Sequence, residues 1–430
     1  MKRTVVGFEP LGDQTVLKLV DAPTDIPGIG ENAIARLTMP DGTLVERGRA
    51  LLEQLSLHPP VKAGLGAALS LPLTAEPAPL YFHVLAACAD ELPWEQLYDD
   101  THGFCALDRR WPIGRIAKRR RPVKARAFVP PLRIVAVLSA AGRSGVPQLN
   151  ALLDALGSED ARAIDVHVHV ISGEQAVLDT ANAAGRANVS AELIAPTSPE
   201  LARQISQAKP HILHLLCHGG AVAGVRTLAF ATLPDFDAED DTGSLRLKVA
   251  DLVSALLSCD PWLVVLSACE TAEATDSLAL AHEIVCHGIP AAVGMRRLVD
   301  LTDTNRFCEA MYPEVLAAVR GAVGPSQVPE VREIDWATSL TAPRVSMGGA
   351  HPSEADSWSD PVLYVQDDPL RVYPGSPSLS TVDYSRLRAH LDFWEGYLAT
   401  LDPLAVEPAV LEHVGARIAE LRSQLPRESG

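Results

Sequence analysis

Two short words in the sequence carry the side chains most able to do chemistry: "HILHLLCHGG" at 211–220 and "PWLVVLSACETA" at 261–272. The first holds three histidines and a cysteine, and the second a cysteine followed by acidic residues. A metal site within the first word is disfavoured by strand geometry. Residues four apart on a strand share a face but stand roughly 13 Å apart, so His214 and His218 cannot grip one ion. His211 and Cys217 point to the other side. The alternative is a pair made across the two words. A cysteine thiol with a pKa near about 8.5 needs a neighbouring imidazole to become a thiolate at neutral pH, and His218 could provide one to Cys269. The competing reading is two buried strands whose polar residues are unrelated. For His214 that core reading is the expectation.

These residues need strands to place them. His218 is followed by Gly219 and Gly220, which are expected to end its strand and turn the chain. Cys269 closes the apolar run "WLVVLSAC". Two adjacent parallel strands would bring both tips to the carboxyl edge of a sheet, where open α/β folds bind their ligands. The surrounding sequence has that grammar. After "FVPP", apolar runs such as "LRIVAVLSA" and "IPAAVGM" alternate with amphipathic stretches such as "VPQLNALLDALG" and "KVADLVSALLS". Continuous apolar strands separated by helices predict a mostly parallel sheet covered on both faces. Residues 1–130 read as an α+β lobe and 131–370 as the catalytic α/β domain. Leu387, Leu391, Trp394 and Leu398, then Leu411, Val414, Ile418 and Leu421, keep helical spacing and predict a helical hairpin over 376–430. The stretch 321–357, rich in Gly, Pro and Ser, reads as a surface excursion.

Composition narrows the function classes. With 430 residues, 47% of them hydrophobic, the chain can bury a large core, and its net charge of −17 argues against a general nucleic-acid partner. The exception is 109–126, which has nine basic residues and no acidic one. It reads as a solvated hairpin or as an internal partner for acidic loops. Seven cysteines without a CxxC pair read as reduced thiols. No apolar run is long enough to span a bilayer, and "MKRTVVGFEPLGD" lacks the apolar core of a signal peptide. A cytoplasmic location with no membrane association is the expectation.

At the level of whole words the sequence resembles the CHAT family, caspase-like cysteine peptidases related to separase. "HILHLLCHGG" and "LVVLSACETA" are similar to its histidine and cysteine motifs. "LPWEQLYDD" (92–100) and "RRWPIGRI" (109–116) are similar to its entry segments, and "WSDPVLY" to its last strand. The likeness runs in order from about residue 80 to 365, and the separation of 51 residues between His218 and Cys269 is close to the roughly 50 found in caspases. It implies a caspase-like sheet flanked by helices, with Cys269 as nucleophile and His218 as general acid and base. It also implies an oxyanion hole from the backbone NH groups of Gly219 and Cys269. Peptide bonds would be hydrolysed through a thioester, with no metal or organic cofactor. Ala272 stands where the family usually has glycine. Bacterial relatives often act as effectors in defence or cell-death systems, which suggests such a role here. The alternative is a catalytically silent scaffold that keeps the fold for protein interaction.

Other signals are weaker. Glu270, Glu273 and Asp276 follow the nucleophile and are candidates for a substrate pocket selecting Arg or Lys. "LPDFDAEDD" lacks the glycine of a calcium loop and reads as a solvated acidic loop. "AAGRSG" (140–145) and "GLGAAL" (64–69) do not complete a phosphate-binding motif. The expected partners are a protein substrate and an activator docking on the C-terminal helices.

Overall fold

The computed structural model describes every residue except 1, 118–124, 223–224, 239–242, 269–274, 298–299, 325–329, 376–380, 401–407, 425–426 and 429–430. In chain order the strands of the main sheet are β1 (Thr4–Leu11), β2 (Gln14–Asp21), β3 (Asn32–Ala35), β4 (Leu80–Val84), β5 (Ile113–Ile116), β6 (Leu132–Leu138) and β7 (Val166–Ser172). They continue as β8 (Val189–Leu193), β9 (Ile212–Val222), β10 (Val225–Phe230), β11 (Leu245–Lys248), β12 (Leu263–Ala268), β13 (Ala291–Met295) and β14 (Pro361–Val365). Their order across the sheet is β8-β7-β6-β9-β12-β13-β14-β5-β4-β1-β2-β3, with β10 and β11 attached beyond β9.

The unbroken apolar runs lie at the centre of this sheet, because only a strand covered on both faces can dispense with polar alternation. β6, β9, β12 and β13 are consecutive parallel neighbours, and β14 closes on β13 antiparallel. The helices of eight residues or more are α1 (Leu44–Ser56), α2 (Pro59–Leu69), α3 (Val146–Ala155), α4 (Gln175–Ala183), α5 (Ser198–Gln207) and α6 (Val249–Leu256). After these come α7 (Thr275–Cys286), α8 (Leu301–Val323), α9 (Thr341–Gly348), α10 (Thr381–Thr400) and α11 (Pro408–Gln424). α3 packs on α8, and α5 on α6. The whole is a mixed α/β protein with a large, mostly parallel sheet flanked by helices.

The N-terminal strands join the same sheet, β5 pairing parallel with β14. An ion cluster fastens this junction. Arg115 of β5, fully buried, reaches Glu95 through Nη2–Oε2 at 2.8 Å and Asp90 through Nη1–Oδ1 at 3.0 Å, while Tyr364 of β14 donates its hydroxyl to Asp90 at 2.7 Å. Burial works against both charges of the central pair. The Glu95 carboxylate nevertheless holds Arg115 above its usual range, and Arg115 holds Glu95 below its own. The basic stretch 109–126 is therefore partly internal. Arg110, Arg115 and Arg126 are buried, whereas 118–124 lie outside the described residues.

Two sequence expectations are corrected. The stretch 321–357 is not a surface excursion: it holds the end of α8, the strand Glu330–Ile334 and α9, and it buries Trp336, Leu340, Arg344 and Met347. Gly219 and Gly220 do not end their strand, because β9 continues to Val222. The tail forms the expected hairpin, in which Leu391 of α10 and Val414, Ile418 and Leu421 of α11 make a small core of their own.

Candidate active site

β9 belongs to two ladders. Through Cys217 it pairs parallel with β12, the last register pair being Cys217 with Ala268. From His218 onward it pairs antiparallel with β10, beginning at His218 with Ala229. His218 is thus the first residue past the parallel ladder, at the carboxyl edge of the sheet centre. The next residue along β12 in the sequence is Cys269, which lies outside the described residues, as do Glu270 and Glu273. Asp276 falls in the first turn of α7, and its side chain is outside the described set. Gly219 is buried beneath α7, where an added Cβ would stand 3.2 Å from Leu280 Cδ1.

The His218 imidazole is buried, and its Nε2 lies 2.8 Å from the carbonyl oxygen of Ala141. A carbonyl only accepts, so Nε2 carries a proton, and in the tautomer this selects the lone pair belongs to Nδ1. Ala141 sits in the turn between β6 and α3. That turn is pinned at one end by Ser139 N donating to Leu216 O (3.0 Å), and at the other by Gly145 N donating to Glu174 Oε2 (2.7 Å). Between them Gly142 adopts φ +67°, a backbone state that residues with a Cβ avoid. This is the "AAGRSG" stretch, dismissed above as a phosphate loop. Its contribution is a backbone carbonyl, which no side-chain motif could signal.

The other residues of the histidine word are structural. His214 is fully buried and neutral, burial lowering its pKa to about 3. His211 is pulled to about 3 by burial and by the charges of Arg133 and Arg126, and its Nδ1 accepts from Arg133 N at 3.0 Å. Among the described residues no group of three or more His, Cys, Asp or Glu side chains could hold a metal ion. Of the described cysteines, Cys105, Cys217, Cys286 and Cys308 are buried, Cys259 is partly so, and Cys88 is exposed. No described helix is long and apolar enough to cross a membrane. In the acidic run, Asp235 completes the capping box of the short helix Leu233–Asp237, accepting from Thr232 N at 2.6 Å, and also accepts from Ser244 Oγ at 2.7 Å. Residues 239–242 lie outside the described set.

Comparison with known families gives a match to the CHAT domain over residues 48–328, more than half of the chain. The chain belongs to the CHAT family. The CHAT match covers both words and both entry segments. No curated protein matches the chain in sequence. Among solved structures, the Arg-specific cysteine proteinase gingipain R is similar with a TM-score of 0.37 and 10% identity, over 68% of this chain and 63% of that one. The Saccharomyces cerevisiae separase in its securin complex is similar with a TM-score of 0.35 and 11% identity, over 77% of this chain and 18% of that one. The chain therefore spans less than two thirds of either.

Proposed function

We propose that this CHAT protein is a cysteine endopeptidase in which Cys269 is the nucleophile and His218 the general acid and base. The observation that carries the reading is the register of β9 and β12. Cys217 pairs with Ala268, and the residues that follow them in the sequence are His218 and Cys269. The tautomer held by Ala141 supports it, because a lone pair on Nδ1 is what a base needs to take a thiol proton.

In this mechanism His218 Nδ1 takes the proton of the Cys269 thiol. The thiolate attacks the scissile carbonyl carbon, and the carbonyl electrons move to oxygen, held by the NH groups of Gly219 and Cys269. Collapse of the intermediate breaks the C–N bond, His218 returns its proton to the leaving amine, and a thioester remains. Water, deprotonated by the same imidazole, then releases the acid and the thiol. Glu270, Glu273 and Asp276 would select a basic residue before the cut, and peptide profiling that returned an apolar or acidic preference would refute that assignment. The substrate is one protein partner, and α10 and α11 are the docking element for an activator, in keeping with the effector role suggested by bacterial relatives.

The test is the pH dependence of alkylation at each cysteine, compared between the native chain and His218→Ala. Cys269 is expected to react at a lower pH than Cys88 and to lose that advantage in the variant. An ordinary titration of Cys269 in both proteins would favour the silent scaffold.

A further inference from the structure

Behind the candidate site, four fully buried polar side chains form one hydrogen-bonded chain: Tyr312 of α8, His214 of β9, Gln148 of α3 and Ser267 of β12. Tyr312 Oη lies 2.6 Å from His214 Nδ1, and His214 Nε2 lies 2.7 Å from Gln148 Oε1. Gln148 Nε2 lies 3.0 Å from Ser267 Oγ. The donors fall into one consistent order. A carboxamide oxygen only accepts, so His214 carries its proton on Nε2, and its Nδ1 must accept from the Tyr312 hydroxyl. Gln148 then donates its amide proton to Ser267. Every link is used, and with the imidazole neutral no charge is buried.

Burying four polar side chains where apolar ones would pack makes sense if the chain fixes geometry, since a fully satisfied network selects one arrangement of the elements it joins. Of the four elements joined here, β9, α3 and β12 carry or adjoin the proposed chemistry. His214 precedes His218 by four residues on β9, and Ser267 of β12 precedes Cys269 by two residues in the sequence. Gln148 lies on the first turns of α3, directly after the turn that presents the Ala141 carbonyl.

We infer that Gln148 is a positioning residue, whose amide ties β9, β12 and the Ala141 turn into one register and so sets the distance between imidazole and thiol. It touches neither reacting group and acts through His214 and Ser267. The inference rests on the peptidase reading above.

The experiment is cysteine alkylation by iodoacetamide across pH in the full chain, comparing the native protein with Gln148→Met and Ser267→Ala. Gln148→Met keeps side-chain length and removes both bonds. Ser267→Ala cuts only the link to β12 and changes little volume. Cys88 serves as the exposed control, and continued protection of Cys217 and Cys308 reports that the core is folded. In both variants the pH midpoint of Cys269 is expected to rise toward that of Cys88, with its rate at pH 6.5 falling about tenfold. Unchanged midpoints in folded variants, with only a lower melting temperature, would overturn the inference and leave the peptidase reading standing. An ordinary thiol at Cys269 in the native chain, insensitive to His218→Ala, would overturn the peptidase reading and the inference with it. Should Gln148→Met not fold, Ser267→Ala alone decides.

Discussion

The Nε2 of His218 is held 2.8 Å from the carbonyl oxygen of Ala141, so a backbone group in one turn determines which ring nitrogen on a neighbouring strand carries the proton. The orientation of that carbonyl depends in turn on Gly142 and its positive φ.

Gly142→Ala is therefore expected to cost about 1 kcal/mol of stability, the penalty of a Cβ in the left-handed region. It should also slow Cys269 alkylation several-fold at pH 6.5. Urea melts and alkylation rates read the two effects separately. A stability loss with no change in rate would mean that the carbonyl does not hold the imidazole in its working position.

Acid should destabilise the fold through the two buried histidines. His211 and His214 have folded pKa values of about 3, below the unfolded value near about 6.5, so the unfolded chain takes up protons first as pH falls. Their contribution is complete above that unfolded value and is lost as pH drops toward the folded one. It amounts to about 2 kcal/mol per histidine by pH 5. Urea midpoints at pH 7 and pH 5 measure it, and His214→Gln is expected to flatten the difference.

Glu95→Gln should be far more damaging than loss of a surface pair. It breaks the fully buried pair with Arg115 and leaves that guanidinium only Asp90 as a carboxylate partner, and removing one partner of a buried ion pair costs about 3 kcal/mol. Arg49→Ala, which breaks an exposed pair with Asp100, is the control and should leave the urea midpoint in place.

Of the tail, Val414→Asp is expected to open the hairpin alone. Its small core is separate from the main one, so amide exchange should accelerate across 381–400 and 408–424 while β6 and β12 stay protected. Equal acceleration in β12 would show that hairpin and sheet unfold as one unit.

How far the sequence could be read depended on whether a signal lay in side-chain pattern or in backbone. The apolar runs of β6, β9 and β12, and the spaced leucines of the tail, are pattern, and each is found as the expected element. Gly219 and Gly220 misled because glycine fits an antiparallel ladder as readily as a turn, and here β10 supplies the ladder. The Gly- and Pro-rich composition of 321–357 hid Trp336, Leu340 and Met347, which are buried in a segment that packs on α8, a tertiary contact that composition does not signal. For the basic stretch the sequence left a solvated hairpin and an internal partner for acidic loops both open, and Arg115, whose acidic partners lie 20 and 25 residues away, takes the second form. The Ala141 carbonyl was illegible in principle, since every residue carries one. Cys269 and its acidic neighbours rest on the sequence alone.

The pairing of β14 with β5 bears on how the protein can be cut for expression. A fragment starting at residue 131 would keep both candidate catalytic residues, yet it would strip β5 from β14 and leave the apolar "PVLYV" edge with unpaired amides. Such an edge recruits other chains, so the fragment should precipitate or associate through that strand. In the whole chain that edge is never presented, because β5 already occupies it.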